Sequence, residues 1–236
     1  MVKSCKYFFV RNPIIIMSRS LFEYTNNGWN VWFNGEKKVD LSNFYSKIWI
    51  TRSLCVAADC NESFDPNFLS LNVPKIFQSD IKILNLWKQN ISFKDLIFLA
   101  SKCEKIDLNY GVTVLYEDES IVPLEKIVQV LPKLTDIVYT FWDRQSFTTK
   151  TVKELIKLPK FTNLTRFTVL NIPDTFDIDI IYDYIKKNKK AKIQLGFSDQ
   201  ISEEYKNRLK IIKNEIAQTE KENCDFIKPC IHFRLE

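Results

Sequence analysis

The sequence is poor in glycine, and this shortage excludes several classes of enzyme. Only four glycines occur among the 236 residues, and the two that lie closest together are Gly28 and Gly35. Walker and Rossmann loops need several glycines within about eight residues, because the backbone must approach a phosphate closely. The sequence therefore predicts no nucleotide-type cofactor.

Histidine and clustered cysteine are also lacking. The one histidine, His232, lies near the C-terminus, where segments are commonly mobile and suit a precise general base poorly. The six cysteines form no C-x-x-C pair, and the nearest approach to a metal cluster is Cys224, Cys230 and His232. Reduced cysteines that act as small apolar side chains are the favoured interpretation. We therefore predict no catalytic residue and no metal site.

Acidic residues cluster in two places without a catalytic pattern. Glu117–Glu119 are predicted to occupy a solvated loop between a strand and a helix. Asp174, Asp177 and Asp179 lack the glycine and the final glutamate of a calcium-binding loop. Loop and helix-capping roles are therefore expected for these carboxylates.

Long apolar runs and strong net charge are absent too. No run suits a signal peptide or reaches the roughly 20 apolar residues of a membrane span, so we expect an intracellular protein, cytoplasmic or nuclear. The net charge is only +5, and the densest basic run lies at 186–192. One hypothesis is that this run binds nucleic acid or another acidic surface. The favoured alternative is a solvated helix C-terminus, where lysines complement the helix dipole.

A spaced apolar pattern, L-x-x-L-x-L with loose substitution, is the main positive feature. Its copies recur at intervals of roughly 20 to 30 residues, about the length of leucine-rich repeats. A fifth copy departs from the pattern because Lys190 fills its first position. The central positions of the copies are Leu84, Ile106, Ile137, Phe167 and Ile193, with a weaker early copy at Tyr45, Ile48 and Ile50.

Amphipathic helical patterns lie between these copies. Ser92 and Ser202 are predicted N-caps, Pro123 is a predicted first helical residue, and Thr151-x-x-Glu154 has the form of a capping box. Glu204 and Arg208 are spaced to form an i,i+4 ion pair. The predicted helices begin at about 92, 123, 151, 177 and 202.

Alternating strands and helices predict an α/β fold. One strand–helix unit cannot bury its apolar face alone, whereas a stack of units can. We therefore predict a leucine-rich-repeat-like solenoid with a parallel sheet and helices on its outer face. The single domain is expected over 21–236, with a capping part at 21–75 and repeats at 76–236. Strands at Trp29–Phe33 and Lys47–Thr51 are expected to begin the same sheet.

Residues that alternate with the buried anchors should face outward on the sheet. They mix charges of both signs with amides and aliphatic groups, as protein-binding surfaces do. The alternative is a surface that is merely solvated. The predicted partner-binding residues are Trp87, Lys105, Asp107, Asn109, Asp136, Thr140, Arg166, Thr168, Lys192 and Gln194.

Several segments give the sequence a family resemblance. "SDIKILNLWKQNIS", "SIVPLEKIVQVLPKL", "TTKTVKELIKLPKF" and the stretch from Phe176 to Ile216 resemble the repeat region of nematode-type F-box proteins. "SCKYFFVRN", from Ser4 to Asn12, resembles the last helix of an F-box, so residues 1–20 are expected to be a remnant of that domain. The resemblance implies a ubiquitin-ligase adaptor whose repeats present a protein substrate. Binding of a Skp-type subunit would require an intact F-box upstream.

Overall fold

The structure is a computed structural model that describes residues 14–25, 28–33, 37–39, 46–58, 65–142, 150–219 and 226–234. It is an α/β protein with mostly parallel strand pairs and some antiparallel ones. The described residues form two compact units, whereas the sequence predicted one domain over 21–236. The first unit comprises the described residues up to Ile106 together with Val112–Ser120, and the second comprises Asp107–Gly111 and those from Ile121 onward.

The first unit contains a mixed sheet in the strand order β3-β2-β1-β4-β6, with β5 paired to β4. The β1–β2 and β2–β3 pairs are antiparallel, and β4 pairs in parallel with β1, β5 and β6. Strands β7 and β9 form a separate parallel pair. The strands are β1 (Ile14–Thr25), β2 (Gly28–Phe33), β3 (Lys37–Val39), β4 (Lys47–Ala58), β5 (Ile76–Ser79), β6 (Ile83–Trp87), β7 (Asn90–Ser92) and β9 (Thr113–Leu115). The helices are α1 (Phe68–Asn72) and α2 (Phe93–Ala100), and a 3-10 turn spans Val73–Lys75.

Strand β1 corrects the interpretation of the N-terminus. Residues 14–20, which the F-box resemblance assigned to a helical remnant, form the first part of this strand, and residues 1–13 lie outside the described residues. A register shift between Met17 and Arg19 interrupts the alternation of buried and exposed side chains. Met17, Ser20 and Phe22 are all buried as a result, so the strand lacks a simple period of two.

The early copy of the repeat pattern was misplaced. Ile48 and Ile50 are buried as predicted, but this part of β4 pairs with β5. Leu84 of the next copy lies opposite Leu54 instead, because β4 continues to Ala58 and offers a second stretch to β6. Tyr45 lies outside the described residues.

The second unit contains only parallel strand pairs among β10, β11, β12 and β13. Strand β8 (Lys105–Asn109) contributes its last three residues to this unit. The strands are β10 (Asp136–Thr140), β11 (Arg166–Ile172), β12 (Lys192–Phe197) and β13 (Cys230–His232). The helices are α3 (Leu124–Val130), α4 (Thr151–Lys157), α5 (Ile178–Ile185) and α6 (Glu203–Gln218), with a 3-10 turn at Phe161–Asn163.

The predicted anchors set the strand register here. Ile137 lies opposite Phe167, and Phe167 lies opposite Ile193, so the repeat spacing is the spacing between neighbouring strands. All three side chains are buried. At the departing copy, Lys190 is exposed and Ala191 is buried in its place.

The predicted helices are present, but three details were wrong. Pro123 is the N-cap of α3 and the helix begins at Leu124, so Pro123 is not its first residue. Ser92 and Ser202 cap α2 and α6 as expected. Thr151 is a buried residue inside α4 and Lys150 is the N-cap, without a side-chain cap bond, so no capping box forms. Arg208 pairs with Asp179 of α5, since the neighbouring helix places a carboxylate within its reach.

Candidate binding groove on the second unit

The outward side chains of the second unit are arranged in rows across the strands. Strand pairing places Asp136, Arg166 and Lys192 side by side in a charged row. The next row contains Val138, Thr168, Gln194 and Cys230. Because parallel strands in register align equivalent residues, each row is a direct product of the repeat spacing.

Except for Asp136, the residues of these two rows line a groove of about 520 Å³. Four predicted partner-binding residues lie there, and the C-terminal segment adds a wall that begins at Ile227. The lining residues are Val138, Arg166, Thr168, Lys192, Ile193, Gln194, Ile227, Lys228 and Cys230.

Among the described residues that line the groove, cations outnumber anions. Arg166, Lys192 and Lys228 line it, and Asp136 is the carboxylate of the neighbouring charged row. The carboxylate of Asp136 accepts hydrogen bonds from Thr135 Oγ1 at 2.8 Å and Thr165 Oγ1 at 3.0 Å. Arg166 Nε is 3.7 Å from Asp136 Oδ1, and its side chain is 58% exposed, so this pairing leaves the guanidinium accessible. A groove with this charge balance favours an anionic ligand.

Three of the predicted residues are buried on the sheet rather than open to solvent. Asn109, Thr140 and Thr168 are each at most 9% exposed, although Thr168 still lines the groove. Thr140 Oγ1 donates a hydrogen bond to Asn109 Oδ1 at 3.1 Å. Asn109 and Thr140 are therefore hydrogen-bonded to each other, and their burial leaves little surface for the partner contact that the sequence predicted.

The remaining predicted residues lie away from the groove lining. Trp87 and Lys105 belong to the first unit, while Asp107 belongs to the second. Lys105 is exposed, whereas Trp87 and Asp107 are half-buried. The structure therefore gathers Arg166, Thr168, Lys192 and Gln194 into one site, but not the full predicted set.

The C-terminal wall of the groove lies mostly in a segment, Lys228 to Arg234, that the sequence left open as either a last short strand or a tail, and the structure has a strand there. Backbone Ile227 N donates to Asn188 O at 3.2 Å, and Lys228 Nζ donates to Thr219 O at 2.6 Å. These bonds hold the chain so that β13 pairs with β12 and brings Cys230 opposite Gln194. The segment carries no copy of the repeat pattern, so sequence periodicity offered no signal for it.

Cys230 and His232 form a close pair on β13. The two residues alternate with buried Ile231, so both side chains lie on the outward face. Cys230 Sγ is 3.0 Å from His232 Nε2. His232 therefore lies on a paired strand, in contrast to the mobile terminus expected from the sequence. Cys224, the third member of the candidate metal cluster, lies outside the described residues.

A second groove, of about 880 Å³, lies on the first unit beside α2. Phe93 and Tyr116 pack edge to face on its floor, with ring centroids 5.4 Å apart. The acidic loop at its rim is exposed, as predicted. Asp118 Oδ1 accepts hydrogen bonds from Ser120, which lower the pKa of that carboxyl and keep it charged.

Among the aspartates at 174–179, Asp177 has the helix-capping role that the sequence predicted. Asp177 Oδ1 accepts a hydrogen bond from Ile180 N at 3.1 Å and so caps α5. Asp179 pairs with Arg208. Within the described ranges, no three histidine, cysteine or acidic side chains are grouped as metal ligands would be.

Comparisons with known proteins identify no relative of this chain. No known protein family matches the sequence, and no curated protein or solved structure is significantly similar to it. Among the helices in the described part of the chain, none combines the length and apolar character needed to cross a membrane.

Proposed function

We propose that this chain is a protein-interaction module that binds an acidic segment of a partner protein in the groove of the second unit. The supporting observation is the row of Arg166 and Lys192, next to Lys228, along a groove whose floor contains Val138 and Thr168. Charged rims around a partly apolar floor are typical of protein-binding surfaces. Arg166 is the expected anchor, because a guanidinium can bind a carboxylate through two hydrogen bonds.

We also propose that the second unit is built as a leucine-rich-repeat-like solenoid. Successive strands pair in the register of the repeat, which supports a constant step from one unit to the next. Successive helices follow the same order, with α3 beside α4 and α4 beside α5. Lys160 Nζ also donates to Gln129 O at 2.8 Å, which links the end of one predicted repeat to the helix of the one before.

Membership of a ubiquitin-ligase adaptor is the more specific form of the proposal. It depends on the resemblance of the repeats to those of F-box proteins, and it makes the partner a substrate for ubiquitylation. The test is co-purification of the chain with a Skp-type subunit. Stable association would support ligase membership, and its absence would leave the binding groove without a ligase role.

The groove itself is tested with a labelled oligoglutamate peptide at low salt. We expect the double variant R166E/K192E to weaken binding about tenfold or more, since two attractive contacts become repulsive. The matched control is K187E/K190E, which makes the same charge change on exposed lysines outside the groove lining. Equal losses in the two variants would contradict the groove proposal and indicate non-specific attraction.

The alternative function is binding of nucleic acid or another acidic surface by the 186–192 lysine run. The lysines of the run are exposed after the C-terminal end of α5, which keeps this alternative open. A labelled RNA or DNA oligonucleotide should then bind with a steep salt dependence. K187E/K190E should abolish binding of the oligonucleotide. The groove proposal predicts that the same variant changes binding of the oligoglutamate peptide little.

A further inference from the structure

We propose that Cys230 is a nucleophilic thiol, activated by His232, that exchanges with small anionic disulfides such as oxidised glutathione. The proposal concerns the outward face of β13 and is independent of what the groove binds. It has three structural supports: the contact between the thiol and the imidazole, the fixed position of the strand, and the cations beside the thiol.

The contact between Cys230 and His232 places an imidazole nitrogen at the sulfur, and the tautomer protonated at Nδ1 can accept the thiol proton there. Their Sγ and Nε2 atoms are 3.0 Å apart, and the two side chains lie on one face of the strand with Ile231 buried between them. Both side chains are exposed, so a small reagent can reach the sulfur. The thiolate is the reactive form of cysteine, and a neighbouring imidazole that accepts the thiol proton increases its share.

Four contacts fix this strand close to the end of the chain. Ile231 is buried, and His232 pairs with Gly196 of β12. Lys213 Nζ lies 5.1 Å from the ring centroid of Phe233. Arg234 Nη1 is 3.6 Å from Asp199 Oδ2. Cys230 and His232 are therefore presented by an anchored strand, which keeps the sulfur and the imidazole together.

The neighbouring cations define the charge of the substrate. Cys230 lines the groove together with Arg166, Lys192 and Lys228. Oxidised glutathione carries several carboxylates, which these cations attract, whereas a cationic disulfide would be repelled. The charge pattern therefore favours an anionic disulfide among small disulfides.

The proposed step is a thiol–disulfide exchange. His232 Nε2 accepts the proton of the Cys230 thiol, and the thiolate attacks one sulfur of the disulfide. A sulfur–sulfur bond forms between Cys230 and that half, the original sulfur–sulfur bond breaks, and the other half leaves as a thiolate. The leaving thiolate takes the proton from His232. The disulfide is the oxidant, so no further reactant is needed.

Two other cysteines serve as internal references. Cys103 is fully buried, and burial raises the pKa of its thiol to about 12, so it should be inert near neutral pH. Cys55 is half-buried on β4. Their alkylation rates are the references with which the rate of Cys230 is compared.

The first experiment measures alkylation of each cysteine of the reduced protein by iodoacetamide, resolved by mass spectrometry. We expect Cys230 to react at pH 7 about tenfold faster than Cys55, because an ordinary thiol is only a few per cent ionised there. His232→Gln should remove most of this advantage at pH 7 and none of it at pH 10, where exposed thiols ionise unaided. A Cys230 no faster than Cys55 would overturn the proposal, and so would a loss in the variant that persists at pH 10.

The second experiment compares oxidised glutathione with the cationic disulfide cystamine at low salt, read as mixed disulfide at Cys230. The measured quantity is the ratio of the rate with oxidised glutathione to the rate with cystamine. We expect this ratio to be several times larger for Cys230 than for a free thiol in solution. R166Q/K192Q should reduce this preference, and K187Q/K190Q should leave it unchanged. An unchanged preference in R166Q/K192Q would overturn the proposed selectivity for anions.

Discussion

The two units bury similar apolar side chains but assemble their sheets differently. In the second unit, each strand from β10 to β12 is followed by a helix and then pairs in parallel with the next strand. In the first unit, β1, β2 and β3 are connected as antiparallel neighbours, and the long strand β4 pairs with three others. A repeated strand–helix unit aligns equivalent anchors on successive strands, whereas hairpins and long strands give each strand pair its own register.

The grooves of the two units differ in the same way. The first-unit groove has an aromatic floor in which Phe93 packs against Tyr116, and an acidic loop forms its rim. The second-unit groove follows rows of aligned side chains and carries Arg166 and Lys192 along one row. Aligned rows place Arg166 and Lys192 next to each other, which is why the regular unit carries the proposed binding site.

The largest expected effect tests whether the two cores are separate. Phe22 of the first unit and Phe167 of the second are both fully buried. Truncation of either to alanine should cost about 3–5 kcal/mol of stability, because it leaves a large cavity. We expect F167A to increase hydrogen exchange in β10–β12 and F22A to do so in β1 and β4. Equal loss of protection in both units, from either variant, would contradict separate cores.

Phe77→Ala is the matched control for these truncations. Phe77 is 52% exposed on β5, and Lys47 Nζ lies 5.6 Å from its ring centroid. Because only about half of the Phe77 side chain is buried, truncation removes little buried apolar surface. The loss of stability should therefore stay below about 1 kcal/mol. Urea denaturation of the three variants measures the contrast. A loss in F77A that matches F167A would show that exposure does not determine these costs.

The second unit was more predictable than the first because its signals repeat. Ile137, Phe167 and Ile193 were identified from spacing alone, and the structure aligns them across three strands. The register shift after Met17 removed the alternation on which strand prediction depends, so β1 was missed. Local pattern and tertiary register agree where each strand is preceded by its own helix.

The candidate site could be predicted only in part, for a similar reason. Arg166 and Lys192 were predicted because they flank repeat anchors on outward positions. Cys230 and His232 lie on a strand that the long helix α6 separates from β12, and no periodicity connects them. Burial of Thr140 also depends on its neighbours across the sheet, which a single-strand pattern does not contain.

Helix caps offer an intermediate effect that should be alike in the two units. Ser92 of α2 accepts a hydrogen bond from Asp95 N at 3.0 Å, and Ser202 of α6 accepts one from Tyr205 N at 3.3 Å. Replacement of either serine by alanine should cost about 1 kcal/mol, because a helix N–H loses its partner. Lys150→Ala is the control, since this N-cap of α4 makes no side-chain cap bond. Urea midpoints measure all three, and a loss in K150A as large as in S92A would contradict the cap assignments.

The smallest expected effect is a difference in acid sensitivity between carboxylates of the two units. Asp80 of the first unit accepts hydrogen bonds from Lys102 Nζ, from Trp49 Nε1 at 2.8 Å and from Gln78 Nε2 at 2.9 Å. The bond from Lys102 is the main cause that lowers the pKa of Asp80. The pKa of Asp183 in the second unit is also lowered by its lysine neighbour, Lys186. The Asp183 side chain, however, is 68% exposed.

A lowered pKa in the folded state fixes the sign of the pH dependence. The stabilisation by Asp80 is present above the carboxyl pKa of the unfolded chain and is lost as the pH falls through the lower folded value. Below that value, D80N and the original protein should converge in stability, whereas at pH 7 D80N should be the less stable, by up to about 1 kcal/mol. D183N should show less of this pH dependence, because solvent screens an exposed pair more strongly. Urea midpoints at pH 7 and pH 2.5 measure both variants. A stability gap for D80N that is as large at pH 2.5 as at pH 7 would show that packing, not charge, is what Asp80 contributes.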